Sequence, residues 1–78
     1  MADNDKLKAV FSQALGVDPQ RVNDSLTFNT IPEWDSVAHM ALIAAIENAF
    51  DVMLDTDDVI GMSSFATAKE IVARYTEA

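Results

Sequence analysis

The sequence predicts an all-α fold, a four-helix bundle with three longer helices, one short helix and a long first loop. Three observations predict it. Apolar residues recur at three- and four-residue spacing in three separate stretches, as amphipathic helices require. The apolar–polar alternation of a half-buried strand persists nowhere. Gly16, Pro19 and Pro32 fall between the first stretch and the second, which places one long connection there. The chain has 78 residues, 50% of them apolar, so it has room for one domain and one modest core. Residues 1–78 therefore read as a single domain, with no internal repeat and no low-complexity tract.

The first helix has the cleanest pattern. Leu7, Val10, Phe11, Ala14 and Leu15 share one face, and Asp3 and Asp5 suit its positive end. Gly16 is a natural stop, and Pro19 rules out simple continuation. Residues 16–34 then form a connection long enough to need anchors. Val17, Val22, Leu26, Phe28, Ile31 and Trp34 are the candidates, and part of the stretch is expected to make a short helical turn.

The second helix is expected from Ser36 to Phe50, with Asp35 as N-cap: its carboxylate can accept a hydrogen bond from an unpaired first-turn N–H. Leu42, Ile43, Ile46, Ala49 and Phe50 give the stripe that faces the core. The other side carries Val37, Met40, Ala41, Ala44 and Ala45, so this helix is either largely buried or offers an apolar contact surface. Asp55 to Asp58 then precede Val59 and Ile60 in a short helix ended by Gly61. Ser63 or Ser64 caps a last helix, whose face is Phe65, Ala68, Ile71, Val72 and Tyr75.

Charge narrows the function. Thirteen acidic residues against five basic ones give a formal net charge of -8. Such a surface repels phosphate backbones and anionic membranes, so no nucleic-acid or membrane partner is expected. Basic protein partners are steered toward it, although solubility alone also accounts for many acidic surfaces. The chain has no cysteine, which removes disulfides and thiolate catalysis. The N-terminal residues show no signal peptide and no run reaches a membrane span, so a cytoplasmic protein is expected.

Few residues carry chemistry of their own. His39 is the sole histidine and has no cysteine to join it, which argues against a zinc site. Asp51, Asp55, Asp57 and Asp58 lack the glycine and closing glutamate of a calcium loop, and read better as caps and solubilising charge. No metal is expected. Ser36 has His39 three residues along the same helix, but no G-x-S-x-G elbow surrounds it, so a catalytic serine is disfavoured. Its hydroxyl instead faces water at a helix start, within reach of another enzyme.

Glu33-Trp34-Asp35-Ser36-Val37, at the mouth of the second helix and after this loop, resembles the Asp-Ser-Leu attachment motif of the acyl and peptidyl carrier proteins. Leu42, Ile46, Glu47, Phe50, Ile60 and Phe65-Ala66-Thr67 continue the likeness over essentially the whole chain. The resemblance implies a carrier, not an enzyme. Ser36 would bear covalent 4'-phosphopantetheine, with Asp35 in support, and the arm's thiol would hold acyl or aminoacyl groups as thioesters. The implied partners are a phosphopantetheinyl transferase, an acyl- or aminoacyl-loading enzyme, and ketosynthase or condensation-type enzymes; a monomer is expected.

The chain departs from the fatty-acid type of this family. Trp34 stands where that type commonly has glycine, and Val37 where it has leucine. Its second helix is ordinarily studded with acids, whereas Glu47 is the only one between Ser36 and Phe50 here. The expected partner-binding residues are therefore Trp34, Val37, Met40, Ala41 and Ala44, with Glu33, Asp35 and Glu47 at the edge. This favours polyketide, nonribosomal peptide or related acyl metabolism, with fatty acid biosynthesis as the alternative. Phe28, Leu42, Ile46, Ile60 and Ala68 are the residues that would line an interior acyl pocket, and the sequence leaves open whether the cargo goes inside or stays in solvent. The rival of another class is a cofactor-free helical adaptor, in which Ser36 is an ordinary first-turn residue.

Overall fold

A computed structural model describes the backbone over residues 2–76 and the side chains over residues 4–76. Among these residues the chain forms four α-helices: α1 (Ala2–Leu15), α2 (Ser36–Phe50), α3 (Thr56–Gly61) and α4 (Phe65–Thr76). A 3-10 turn, Pro19–Arg21, supplies the helical turn expected in the long connection. Asp5 lies near the start of α1 as its charge predicts, while the side chain of Asp3 lies outside the described residues. No helix among the described residues is long and apolar enough to cross a membrane.

Helix α1 buries Leu7, Phe11 and Leu15, with Val10 and Ala14 partly buried beside them. It stops at Gly16, whose φ of +69° lies in the left-handed region that a Cβ disfavours. The N–H groups of Gly16 and Val17 both donate to the Ser12 carbonyl, at 2.9 and 3.1 Å, which satisfies the end of the helix. In the 3-10 turn the Asp18 carboxylate accepts from the Gln20 N–H at 2.9 Å, and Pro19 occupies a position that needs no donor.

The connection is anchored twice over. Val17, Val22, Leu26 and Trp34 are buried, and Phe28 and Ile31 partly so, as their apolar character predicts. The second anchor is backbone: the Phe28 N–H donates to the Ser63 carbonyl at 2.8 Å, and the Phe65 N–H to the Leu26 carbonyl at 3.0 Å. These bonds form an isolated antiparallel bridge, Thr27 with Ser64, that stitches the connection to the start of α4. Backbone pairing over one residue leaves no side-chain period, so the sequence carries no sign of it.

Helix α2 contributes Leu42, Ile43 and Ile46 to the core, and α4 contributes Phe65, Ala68, Ile71 and Val72. Phe11 meets Trp34 and Phe65 edge-on, with centroids 5.4 and 5.0 Å apart, the arrangement ring quadrupoles favour. Ser64 rather than Ser63 caps α4, its hydroxyl accepting from the Thr67 N–H at 3.0 Å. Helix α3 differs from the other three, because none of its side chains is buried and its Asp55 makes no side-chain cap bond.

Candidate functional site

Asp35 and Ser36 sit where loop becomes helix. Asp35 is extended (φ -104°, ψ -173°), and its carboxylate accepts from the Ala38 N–H at 2.8 Å. Its carbonyl accepts from the His39 N–H, also at 2.8 Å. The carboxylate satisfies one of the orphan donors of α2, the carbonyl accepts the first intrahelical bond, and together they fix the angle at which the helix starts. Ser36 is then the first helical residue, exposed, at the positive end of the helix dipole.

Beside Ser36 lies a largely apolar groove of about 370 Å³ between α2 and α3, partly open to solvent. Phe28, Met40, Val59, Ile60 and Met62 form its walls, and Ser36, His39 and Ser63 complete its lining. The volume stands at the lower end of the roughly 300–1,000 Å³ typical of small-molecule sites. Leu42, Ile46 and Ala68 are 0% exposed and belong to the core. Of the five residues named for an interior pocket, Phe28 and Ile60 line the groove.

The expected contact residues divide. Val37 (80% exposed), Met40 (62%), Ala41 and Ala44 lie along the outer face of α2 at helical spacing. Ile60, 76% exposed on α3, adds another large apolar side chain beside the groove. Trp34 is a correction: it is 0% exposed and packs between Phe11 and Phe28, so it offers nothing to a partner. A large indole at the end of an anchored loop buries more apolar area inward than outward.

The acidic edge is also committed within the chain. Asp35 caps α2, Glu33 pairs with Arg21 at 3.4 Å, and Glu47 accepts from the Leu54 N–H at 2.9 Å. Asp58, one of the acids weighed for calcium, meets the Tyr75 hydroxyl and Arg74 Nη2, the latter at 2.8 Å. The hydrogen bond donated by Tyr75, then Arg74, holds the Asp58 carboxyl below its ordinary range, and the same bond to Asp58 raises Tyr75.

His39 is the residue that sequence reasoning missed. Trp34 Nε1–H donates to His39 Nδ1 at 3.0 Å, and on the far side His39 Nε2 lies 2.9 Å from the Val59 carbonyl. A carbonyl only accepts, so these partners specify the neutral ring with its proton on Nε2. The ring also lies nearly parallel to Trp34, at 25°, and edge-on to Phe28. With both nitrogens taken, His39 has no lone pair left to serve Ser36 as a base.

Residues 5–75 match the family described as "Phosphopantetheine attachment site". No curated protein and no solved structure gives a match. A match that runs from α1 to the end of α4 spans every element that shapes the Ser36 corner. The chain therefore belongs to the phosphopantetheine attachment-site family, the carrier domains that bear 4'-phosphopantetheine as a covalent arm.

Proposed function

We propose that the chain is one carrier domain whose arm is esterified to Ser36, and that it carries acyl or aminoacyl groups as thioesters. The observation that carries this reading is the position of Ser36, exposed at the start of a capped helix and on the edge of an apolar groove. The residues suit the group. The helix start favours a phosphodiester through its dipole, and the groove offers an apolar wall to the rest of the arm. When bound, the arm supplies the reactive thiol that a chain without cysteine lacks.

The chain's own residues do the positioning. Asp35 caps the helix start from which the Ser36 side chain projects. Val37, Met40, Ala41 and Ala44 give a partner an apolar surface next to that hydroxyl, free of ionised side chains. A carrier of this family works with a phosphopantetheinyl transferase and with acyl-handling enzymes. The apolar face of α2 supports partners of the polyketide, nonribosomal peptide or related acyl type over those that read an acidic helix.

Intact mass tests the reading. Incubation with coenzyme A and a broad-specificity phosphopantetheinyl transferase is expected to add one phosphopantetheine to the wild type and none to Ser36→Ala. A folded wild type that stays unmodified with several competent transferases would overturn it in favour of the cofactor-free adaptor.

A further inference from the structure

The groove beside Ser36 is bounded by an element that the core holds only through its flanks, Leu54 and Met62, and partly through Val59. α3 is six residues long, buries none of its side chains and lacks a side-chain N-cap bond. Val59 packs only partly against the core, and Ile60 is exposed. An element so placed belongs to the low-stability end of a fold and opens locally unless specific bonds hold it.

Those bonds come from two directions. On the α4 side, Asp58 meets Tyr75 and Arg74, and the Asp55 N–H donates to the Tyr75 hydroxyl at 3.3 Å. These contacts fasten the first turn of α3, away from the groove. On the α2 side, the only hydrogen bond to α3 among the described residues is His39 Nε2–H to the Val59 carbonyl. It lies in the groove lining itself, three residues along α2 from Ser36.

The ring cannot turn freely to release that carbonyl. Trp34, fully buried, directs its Nε1–H at Nδ1 and stacks beside the ring, which holds the proton on Nε2 and aims it at Val59. The buried core thus controls a groove wall through one imidazole.

The geometry points to His39 as the positioning residue that sets the width of this groove, and so the size of the cargo it shelters. The cargo half of this inference rests on the carrier reading above; the strap itself does not. Without the Val59 bond, α3 swings on its α4 attachments, the wall formed by Val59 and Ile60 moves away from Met40, and shelter for small cargo is lost.

Two substitutions separate this role from simple packing. In His39→Gln the amide nitrogen falls where Nε2 stood and can still donate to Val59. In His39→Asn the amide ends near the Nδ1 position, within reach of Trp34 and short of Val59. Hydrogen exchange on the apo protein is expected to be roughly three- to tenfold faster at the α3 amides of His39→Asn, with α1 and α4 unchanged. His39→Gln is expected to stay near the wild type. Equal behaviour of the two variants overturns the strap, as does a ring whose nitrogen-15 shifts place the proton on Nδ1. That last measurement uses the wild type and stands even if a variant unfolds.

The cargo half is read on holo proteins loaded with acyl groups of increasing length and challenged with hydroxylamine. The wild type is expected to protect short chains best, and His39→Asn to lose that preference. Unchanged length dependence alongside faster α3 exchange overturns the cargo assignment alone. A wild type that accepts no phosphopantetheine removes the carrier reading and the cargo half with it, and the exchange contrast still decides the strap.

Discussion

Asp35 and Trp34 precede Ser36, the proposed attachment serine, and act in opposite directions. Asp35 acts outward, through one cap bond to the Ala38 N–H. Removing such a cap costs about 0.5–2 kcal/mol, most of it local to the first turn. Asp35→Ala is therefore expected to lower stability by about 1 kcal/mol in a denaturant titration and to slow phosphopantetheine transfer by more than stability explains, because the helix start that presents Ser36 frays. Asp35→Asn, which still caps, is expected to recover the stability. Recovery of transfer as well would assign Asp35 to geometry; failure to recover it would assign a role to the charge. Trp34 acts inward. It joins Phe11, Phe28 and His39 into one aromatic unit, and truncating so large a buried side chain typically costs about 3–5 kcal/mol. Its position two residues before the serine thus reflects the core's need for an anchor there, not a partner's need for a contact.

At the scale of the element, α3 is a helix held by its edges. Its α4 attachment depends on Asp58 being ionised and Tyr75 protonated, and the two shifts define a pH window. Asp58 has a lowered folded value, so its contribution is complete above the ordinary aspartate value of about 3.9 and is lost as pH falls through the lowered one. Tyr75 has a raised folded value, so its contribution is complete below the ordinary tyrosine value of about 10 and is lost as pH rises through the raised one. The attachment is accordingly constant between about pH 4 and pH 10. Tyr75→Phe keeps the ring and removes the bond. It is expected to speed exchange at α3 amides several-fold at neutral pH, and the stability gap between wild type and variant is expected to stay flat across that window and close outside it. A gap that varies steadily between about pH 5 and pH 9 would mean that some other pair carries the attachment. Neither attachment of α3 is periodic, which is why the sequence discloses the helix but not the bonds that fasten it.

For the molecule as a whole, the legible features are the ones that repeat. Leu7, Phe11 and Leu15, or Ala68, Ile71 and Val72, recur at helical spacing, and their burial follows from the pattern. Ser36 is legible as an exposed first-turn residue because a capping aspartate, a helix start and a preceding loop coincide, whereas its proposed attachment role is legible only through the resemblance of Glu33-Trp34-Asp35-Ser36-Val37 to the carrier motif. The groove is not legible, because it depends on the approach of α3 to α2 through a backbone carbonyl twenty residues from His39. The burial of Trp34 is hidden for a related reason: an indole in a loop reads equally as anchor or contact until its neighbours are placed. The same uneven placement governs how partners meet the protein. A net charge of -8 steers basic partners from a distance, but the α2 face proposed for their contact is apolar, and its flanking acids are already bonded within the chain. Steering is screened beyond about 8 Å at physiological salt, whereas apolar contact is not. Met40→Ala and Val37→Ala are therefore each expected to lower kcat/KM for phosphopantetheine transfer about five- to tenfold, near 1–1.4 kcal/mol, with little change between low and physiological salt. Glu33→Gln is expected to change it less than about twofold at physiological salt, since its carboxylate is shared with Arg21. The reverse order, with Glu33 dominant and a steep fall of rate with salt, would mean that partners read this carrier by charge and that the apolar stripe on α2 is incidental to them.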